Sequence, residues 1–371
     1  MTYVKRSQVL ISDEADAVAA LADDLMQEDM TCVFFFCSSK YNLQRLSEEI
    51  AQAFPCPVIG CTTAGEIGDS YQDGGIVGLS FSAEVFQIKS YLVNGISSLD
   101  YSQINSIAYE INSTPPSDPF SNRVGYLLID GLSMAEEQVI GALSSALSGL
   151  PIIGGSAGDD LAFDETFVYY DGEFLKDSAV FTLINTALDM EICKQQHFVP
   201  SNNEVVVTSA EPKIRKVHEL DGEPAVDCYA QQLNVDPKEL TPEVFSRYPV
   251  MIQVCDEWYV RSIQTANPDG SLTFYCAIEN GLPLIISQGQ DIVNNLASLV
   301  KDVNDKFSSV DLTLGCDCIL RRLEIVNTNK AEAMAPLLQE LKFLGFSTYG
   351  EQFGALHVNQ TLTCVVFGNK S

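Results

Sequence analysis

The chain has 371 residues, 46% of them hydrophobic and 19% charged, with a formal charge of -29. That composition describes a globular protein rather than a disordered one, and the length suggests about two domains. So negative a field repels phosphate backbones and anionic lipid, which argues against a nucleic-acid or membrane-surface role and favours a basic partner surface.

The first residues, Met1 to Arg6, lack the apolar run of a signal peptide, and no stretch approaches the ~20 apolar residues of a membrane span. A cytoplasmic protein is expected. The eleven cysteines sit mostly in apolar, strand-like runs, as reduced buried thiols do.

In chain order, residues 7–30 read as a helix whose apolar face is Ala17, Ala20, Leu21 and Leu25. Residues 31–37 (Thr-Cys-Val-Phe-Phe-Phe-Cys) show no alternation and read as a strand buried on both faces. A helix over 43–54 and a strand over 58–61 complete a βαβ pattern. Residues 76–81 and 85–92 read as strands, and 112–122 as a polar connector. A strand over 124–129 and a helix ending before Gly149 and Pro151 follow. Asp171-Gly172 marks a hairpin between residues 167–170 and 173–175. Strands over 179–184 and 189–194 lead to a linker within 195–215. Beyond it come a strand over 213–219, a helix from Pro224 to Leu233, and strands over 248–255, 258–263 and 272–276. A helix over 290–303 precedes a strand over 313–325, a helix over 331–341 and a last strand over 361–367.

One stretch organises this list. Val58-Ile59-Gly60-Cys61-Thr62-Thr63-Ala64-Gly65-Glu66 runs from apolar residues through glycine and hydroxyl residues to a glycine and an acid. Residues 152–159 (with Ser156, Gly158 and Asp159) and 343–351 (with Ser347, Thr348, Gly350 and Glu351) repeat it, the middle copy one residue shorter. Each copy follows a strand and a helix and precedes another strand. The pattern predicts an α/β fold of two mixed-sheet domains built from repeated strand–helix–strand–Gly-rich-turn–strand units.

The chemical motifs are few. Gly154-Gly155-Ser156-Ala157-Gly158 matches a nucleophile elbow, but that motif needs a helix directly after the serine, and a hairpin pattern follows here. No copy carries the lysine of a P-loop. Cys316-Asp317-Cys318 lacks the further ligands a zinc site needs. Cys56-Pro57 is a dipeptide found where a thiolate ligates haem, and also where helices end. The chain has three histidines, so any imidazole–iron bond uses His197, His218 or His357. Arg321 and Arg322 stand out in so acidic a chain as candidates for holding a carboxylate or propionate.

These stretches resemble the FIST sensory family (F-box and intracellular signal transduction proteins). Residues 57–66 and 150–159 look like a FIST N half, residues 217–225 like its link, and Cys318-Ile319-Leu320-Arg321-Arg322, residues 345–351 and His357-Val358-Asn359-Gln360-Thr361 like FIST C. The family favours histidine directly before the asparagine, where this chain interposes Val358. The resemblance implies a FIST N-like domain over 31–210, a FIST C-like domain over 211–367, and a non-enzymatic sensor of small ligands. One bacterial branch binds haem, senses nitric oxide and regulates a separate histidine kinase or cyclic-di-GMP enzyme. On that model haem b iron is held by His357 or His218, with Arg321 or Arg322 meeting an anion. Thr62, Thr63, Gly65, Glu66, Ser156, Gly158, Asp159, Thr348, Gly350, Glu351 and Asn359 are the expected ligand-binding residues. The alternative is a haem-free amino-acid sensor, in which Glu66, Asp159 and Glu351 meet an ammonium group.

Overall fold

The computed structural model describes residues 3–371. The chain divides into two compact units. Unit 1 takes the chain up to Gln195, then Leu296–Leu356 and Leu362–Ser371, and unit 2 takes Gln196–Asn295 and His357–Thr361.

Unit 1 consists of three repeats. In the first, β1 (Val4–Val9), α1 (Glu14–Leu25), β2 (Met30–Ser38), α2 (Leu43–Ala53) and β3 (Val58–Thr63) lead through the Gly-rich turn to a hairpin, β4 (Glu66–Ile67) and β5 (Tyr71–Gln72), and end on β6 (Ile76–Ser82). The second has the same order: β7 (Phe86–Asn94), α3 (Tyr101–Ser113), β8 (Asn122–Ile129), α4 (Glu136–Ala146), β9 (Ile152–Ser156), the hairpin β10 (Val168–Tyr170) and β11 (Glu173–Leu175), and β12 (Ser178–Thr186). The third opens with β13 (Asp189–Gln195).

The chain then enters unit 2 through β14 (Phe198–Glu211), β15 (Lys216–Leu220), β16 (Glu223–Pro224), α5 (Ala225–Leu233), α6 (Pro242–Arg247), β17 (Val250–Val254), β18 (Glu257–Arg261), β19 (Ile263–Ala266), β20 (Leu272–Phe274) and β21 (Pro283–Gly289). These strands form one sheet in the order β18-β17-β21-β14-β15-β20-β19, with β16 on β15. The third repeat resumes with α7 (Ile292–Lys306), β22 (Phe307–Cys318), α8 (Ile319–Asn327), α9 (Ala331–Glu340), β23 (Phe343–Thr348), β24 (Glu351–Phe353), β25 (Leu356–Val358) and β26 (Leu362–Lys370).

Each repeat supplies a parallel pair (β2/β3, β8/β9, β22/β23) and an antiparallel return strand (β6, β12, β26). The hairpins do not stay with their own repeats. β10 of the second repeat pairs with β3 of the first, β24 of the third with β9 of the second, and β4 of the first with β23 of the third. The exchange is cyclic. It yields three equivalent strand orders: β1-β6-β2-β3-β10-β11, β24-β9-β8-β12-β7 and β13-β26-β22-β23-β4-β5.

This arrangement explains the apolar runs without alternation. Phe34 and Phe36 join a core shared by all three sheets, with Tyr126, Leu128, Leu314 and Phe346, while Val33, Phe35 and Cys37 pack against α1 and α2. On β8 the same period of two sends Tyr126 and Leu128 inward and Leu127 and Ile129 toward α3 and α4. The expected α/β class with mixed sheets and repeated units is the one observed.

Four local expectations are corrected. Residues 7–9 belong to β1, and α1 starts only at Glu14, where the Asp13 side chain accepts the Ala15 and Asp16 N–H groups. The helix α3 was not foreseen, although Ile104, Ile107, Ala108 and Ile111 have helical spacing and Asp100 caps it. Most of the expected linker over 195–215 is the long strand β14. The strand expected over 313–325 stops at Cys318, and α8 takes over, placing Arg321 one helical turn from Asp317. The division expected at residue 210 and the compact units cut the chain differently, because the third repeat begins before unit 2 and is completed after it.

Candidate functional site

The three Gly-rich turns lie at the carboxyl ends of β3, β9 and β23, where open α/β sheets commonly bind ligands. Here they meet one another. Ala64 N–H donates to Ser347 O (2.9 Å) and Ser347 N–H to Gly65 O (2.7 Å), joining the first and third turns. Gly158 N–H donates to Thr62 O (3.0 Å) and Asp160 N–H to Thr63 O (2.9 Å), joining the second to the first. Ser156 N–H donates to Gly350 O (2.8 Å), joining the second to the third. Thr62, Thr63, Glu66, Ser156, Asp159, Thr348 and Glu351 are all buried.

Strand register changes which acids are equivalent. Cys61, Gly155 and Phe346 hold matching places on β3, β9 and β23, and they pair with Val168, Glu351 and Glu66. Val168, not Asp159, therefore matches Glu66 and Glu351. Asp159 has another task. Its carboxylate accepts the N–H groups of Phe163 (2.9 Å), Asp164 (2.6 Å) and Glu165 (2.9 Å), and the Tyr349 hydroxyl donates to it as well. It ties down the extra loop of the second repeat, in which Asp160, Leu161 and Phe163 all have positive φ.

Both arginines serve this junction. Arg322 donates to Gln72 O (2.5 Å), Asp73 Oδ1 (2.6 Å), Ser347 Oγ (3.2 Å) and Glu66 O (3.4 Å). Its guanidinium lies where a side chain on Gly65 would stand: a Cβ there meets Cζ at 2.4 Å, and Gly65 also has φ +126. Arg321 donates through Nε to Asp317 Oδ1 at 2.6 Å, both side chains wholly buried. The guanidinium groups that sequence reading assigned to an anionic ligand are thus engaged with carboxylates and carbonyls of the chain itself.

Glu66 is fully buried and accepts from Thr63 Oγ1 (2.7 Å) and Gly75 N–H (3.1 Å). Burial pushes its carboxyl up to about 7, against the pull of those hydrogen bonds. The folded form therefore keeps its proton at pH values where the unfolded chain, with an ordinary value of 4.5, has lost it. The resulting stability is fully present below about pH 4.5 and is lost as pH rises through about 7. At about 1.4 kcal/mol per unit this amounts to roughly 3 kcal/mol. We expect urea unfolding at pH 5 and pH 8 to show that loss in the wild type and not in Glu66→Gln. Equal losses in both proteins would refute the assignment.

All three histidines belong to unit 2. His218 is partly exposed and sits 2.8 Å from Glu211 Oε1. His197 is buried against Phe198, with ring centroids 4.2 Å apart. His357 is buried, and its carbonyl accepts from Arg261. Asn359 is buried in the same segment. Ser156 lacks the context of a nucleophile elbow: β9 ends on it, an irregular loop follows, and its Oγ accepts from Gln352 Nε2 at 3.1 Å. Among the described residues, no group of three or more His, Cys, Asp or Glu side chains is arranged to hold a metal ion.

Space for a ligand opens at the other end of the strands. A crevice of about 640 Å3 lies where the β10–β11 hairpin crosses onto β3, next to β7. Ile50, Phe54, Val58 and Ile59 give it apolar walls, and Lys89, Ser90, Tyr170 and Asp171 add polar groups. Cys32 and Cys56 also line it, and burial pushes the Cys56 thiol up to about 11, so it is not a thiolate at neutral pH. A neighbouring hollow of about 430 Å3 is lined by Leu43, Ser47, Phe167 and Phe174 among others. No histidine lines either space, so neither fits the expected histidine-ligated haem. Sequence reading singled out Cys56-Pro57 but missed the crevice, whose walls come from segments more than 100 residues apart.

The repeated α/β units carry a crevice of small-molecule size beside β3. The family comparison supplies the class. Residues 31–223 match the FIST N domain and residues 225–354 the FIST C domain. The chain belongs to the FIST family, whose domains are signal-transduction sensors that bind small ligands. It is also similar, at 29% identity over 214 residues, to an uncharacterized protein of Methanocaldococcus jannaschii; the match spans 56% of this chain and 41% of that protein. No helix among the described residues is long and apolar enough to cross a membrane.

Proposed function

We propose that this protein is a non-enzymatic, haem-free sensor that binds a small zwitterionic metabolite, an amino acid with an apolar side chain, in the crevice beside β3. The carrying observation is its lining. Ile50, Phe54 and Ile59 suit an apolar side chain, and Asp171 supplies a carboxylate for an ammonium group. Lys89 borders the crevice from β7, with its ammonium held by Glu110 and 5.4 Å from the Tyr91 ring centre. The Tyr170 hydroxyl, which donates to Ser90 O at 3.5 Å, ties the hairpin to β7 across the crevice. Occupancy bears on two sheets at once, a direct route from binding to a shift between conformations. The receiver is a separate signalling protein, such as a histidine kinase, and the chain's negative charge favours a basic docking face on it.

Thermal-shift and calorimetric titration with a panel of amino acids tests this. A saturable response is expected for apolar members. Asp171→Asn should weaken it roughly tenfold to a hundredfold, the value of one charge-assisted hydrogen bond. Ala51→Trp, at an exposed helical position on the crevice wall, should abolish it without unfolding the protein. No response from any amino acid, together with a stoichiometric haem complex lost in His357→Ala, would replace this reading with the nitric-oxide sensor.

A further inference from the structure

Cys193 on β13 and Cys364 on β26 lie directly opposite each other in an antiparallel pair. Opposed in register, the two side chains stand on the same face of the sheet, and each thiol shifts the proton affinity of the other. Opposed residues in such a pair hold their Cα atoms about 4.5–5.5 Å apart, inside the roughly 4.4–6.8 Å that a disulfide spans. The two positions differ in access. Cys364 is fully buried, whereas Cys193 is half-buried on a strand at the edge of its sheet.

Their electrostatic surroundings differ too. Burial raises the thiols of Cys32, Cys37 and Cys61 well above the ordinary range. Cys193 moves the other way: the Cys364 thiol lowers it, and the Lys306 charge assists against burial and the Glu191 carboxylate. Lys306 is fixed nearby by its 2.8 Å bond to Glu191 Oε1. A lowered thiol with partial access is the pattern of an attacking cysteine, and the buried partner is placed to resolve it.

We propose that Cys193 and Cys364 form a reversible redox pair that closes into a cross-strand disulfide on exposure to a peroxide. The Cys193 thiolate attacks one peroxide oxygen, the O–O bond breaks, and the leaving oxygen takes the thiol proton to depart as water when the oxidant is hydrogen peroxide. The Cys364 sulfur then attacks the Cys193 sulfenic acid, forming the S–S bond, and its proton leaves with the hydroxyl as a second water. Two thiols are oxidised by two electrons and one peroxide is reduced. A dithiol reverses the change by exchange. The position gives the bond a consequence. Cys193 stands two residues before Gln195, where the chain passes into unit 2, and Cys364 two residues after Leu362, where it returns. The disulfide ties two segments of unit 1 that border the chain's passages into and out of unit 2.

The test treats the full chain with hydrogen peroxide, quenches in acid, alkylates under denaturing conditions and maps the peptides. A Cys193–Cys364 cross-linked peptide is expected, lost on adding dithiothreitol. The oxidised protein should melt at a higher temperature than the reduced one, and Cys193→Ser should abolish that difference. In Cys364→Ser, Cys193 should stop at a dimedone-reactive sulfenic acid. If the buried Cys364→Ser protein fails to fold, Cys193→Ser still decides the matter, since Cys364 must then remain alkylatable after peroxide. The proposal is overturned if both cysteines stay alkylatable in folded, peroxide-treated protein, or if Cys193 proceeds to a sulfinic acid without forming the link.

Discussion

Gly158→Ala is expected to destabilise unit 1 by about 3 kcal/mol or more, at the upper end of overpacking costs. A Cβ at Gly158 meets Ala64 N at 2.5 Å and Thr63 C at 2.8 Å, both backbone atoms of the first turn. Neither can give way by a side-chain rotation. Relief requires separating the first and second turns, which breaks the Gly158–Thr62 and Asp160–Thr63 backbone bonds together. The melting temperature should fall by roughly 6–12 °C, since about 1 kcal/mol moves a unit of this size by about 2–4 °C. The matching control is Gly141→Ala in α4, where a Cβ meets nothing within 4 Å. There a gain of about 0.5–1 kcal/mol is expected from helix propensity alone. Equal behaviour of the two variants would mean that the turns are not interlocked.

The second large effect is at Asp317. Its carboxylate accepts from Arg321 Nε at 2.6 Å and from the Tyr71 hydroxyl at 2.5 Å, and neither Asp317 nor Arg321 is exposed. Asp317→Ala leaves a guanidinium buried without its carboxylate, a loss of about 3–5 kcal/mol. Most of that is the penalty of the stranded charge rather than the worth of the pair. The triple variant Asp317→Leu, Arg321→Met, Tyr71→Phe, which removes all three polar partners, should therefore recover much of the lost stability. Denaturant melts of the single and triple variants decide this. A triple variant less stable than Asp317→Ala would show that the pair stabilises the fold outright. Because Tyr71 lies in the hairpin that the first repeat lends to the third sheet, the same experiment measures how firmly that exchange is held.

Both predictions concern residues that sequence reading placed in or beside a ligand pocket. A glycine–hydroxyl–acid turn occurring three times marks one structural device, and the three turns do meet. What packs against the glycines is not written in those turns. Gly65 and Gly158 are needed because Arg322 and the first turn approach their Cα atoms, and that approach is invisible until the three turns share a space. Likewise, the spacing of Asp159 after Gly158 suggested equivalence with Glu66, whereas the hairpin register gives that place to Val168. The crevice was hidden for the same reason. Cys56, Ile88 and Asp171 are far apart in sequence and adjoin only because β10 pairs with β3.

The sequence by itself determined the local elements and their repetition. Apolar runs without alternation foretold strands buried on both faces, helical spacing foretold α2, α4 and α9, and Asp171-Gly172 foretold its hairpin, because each of these signals resides in a few consecutive residues. It also carried the motifs of the FIST family. Tertiary structure alone decided that the hairpins are exchanged in a ring, that unit 2 is inserted within the third repeat, and that Cys193 lies opposite Cys364. Those features are strand registers between segments tens to hundreds of residues apart. A register of that kind is fixed by which faces can be buried together, and no local stretch of chain holds that information.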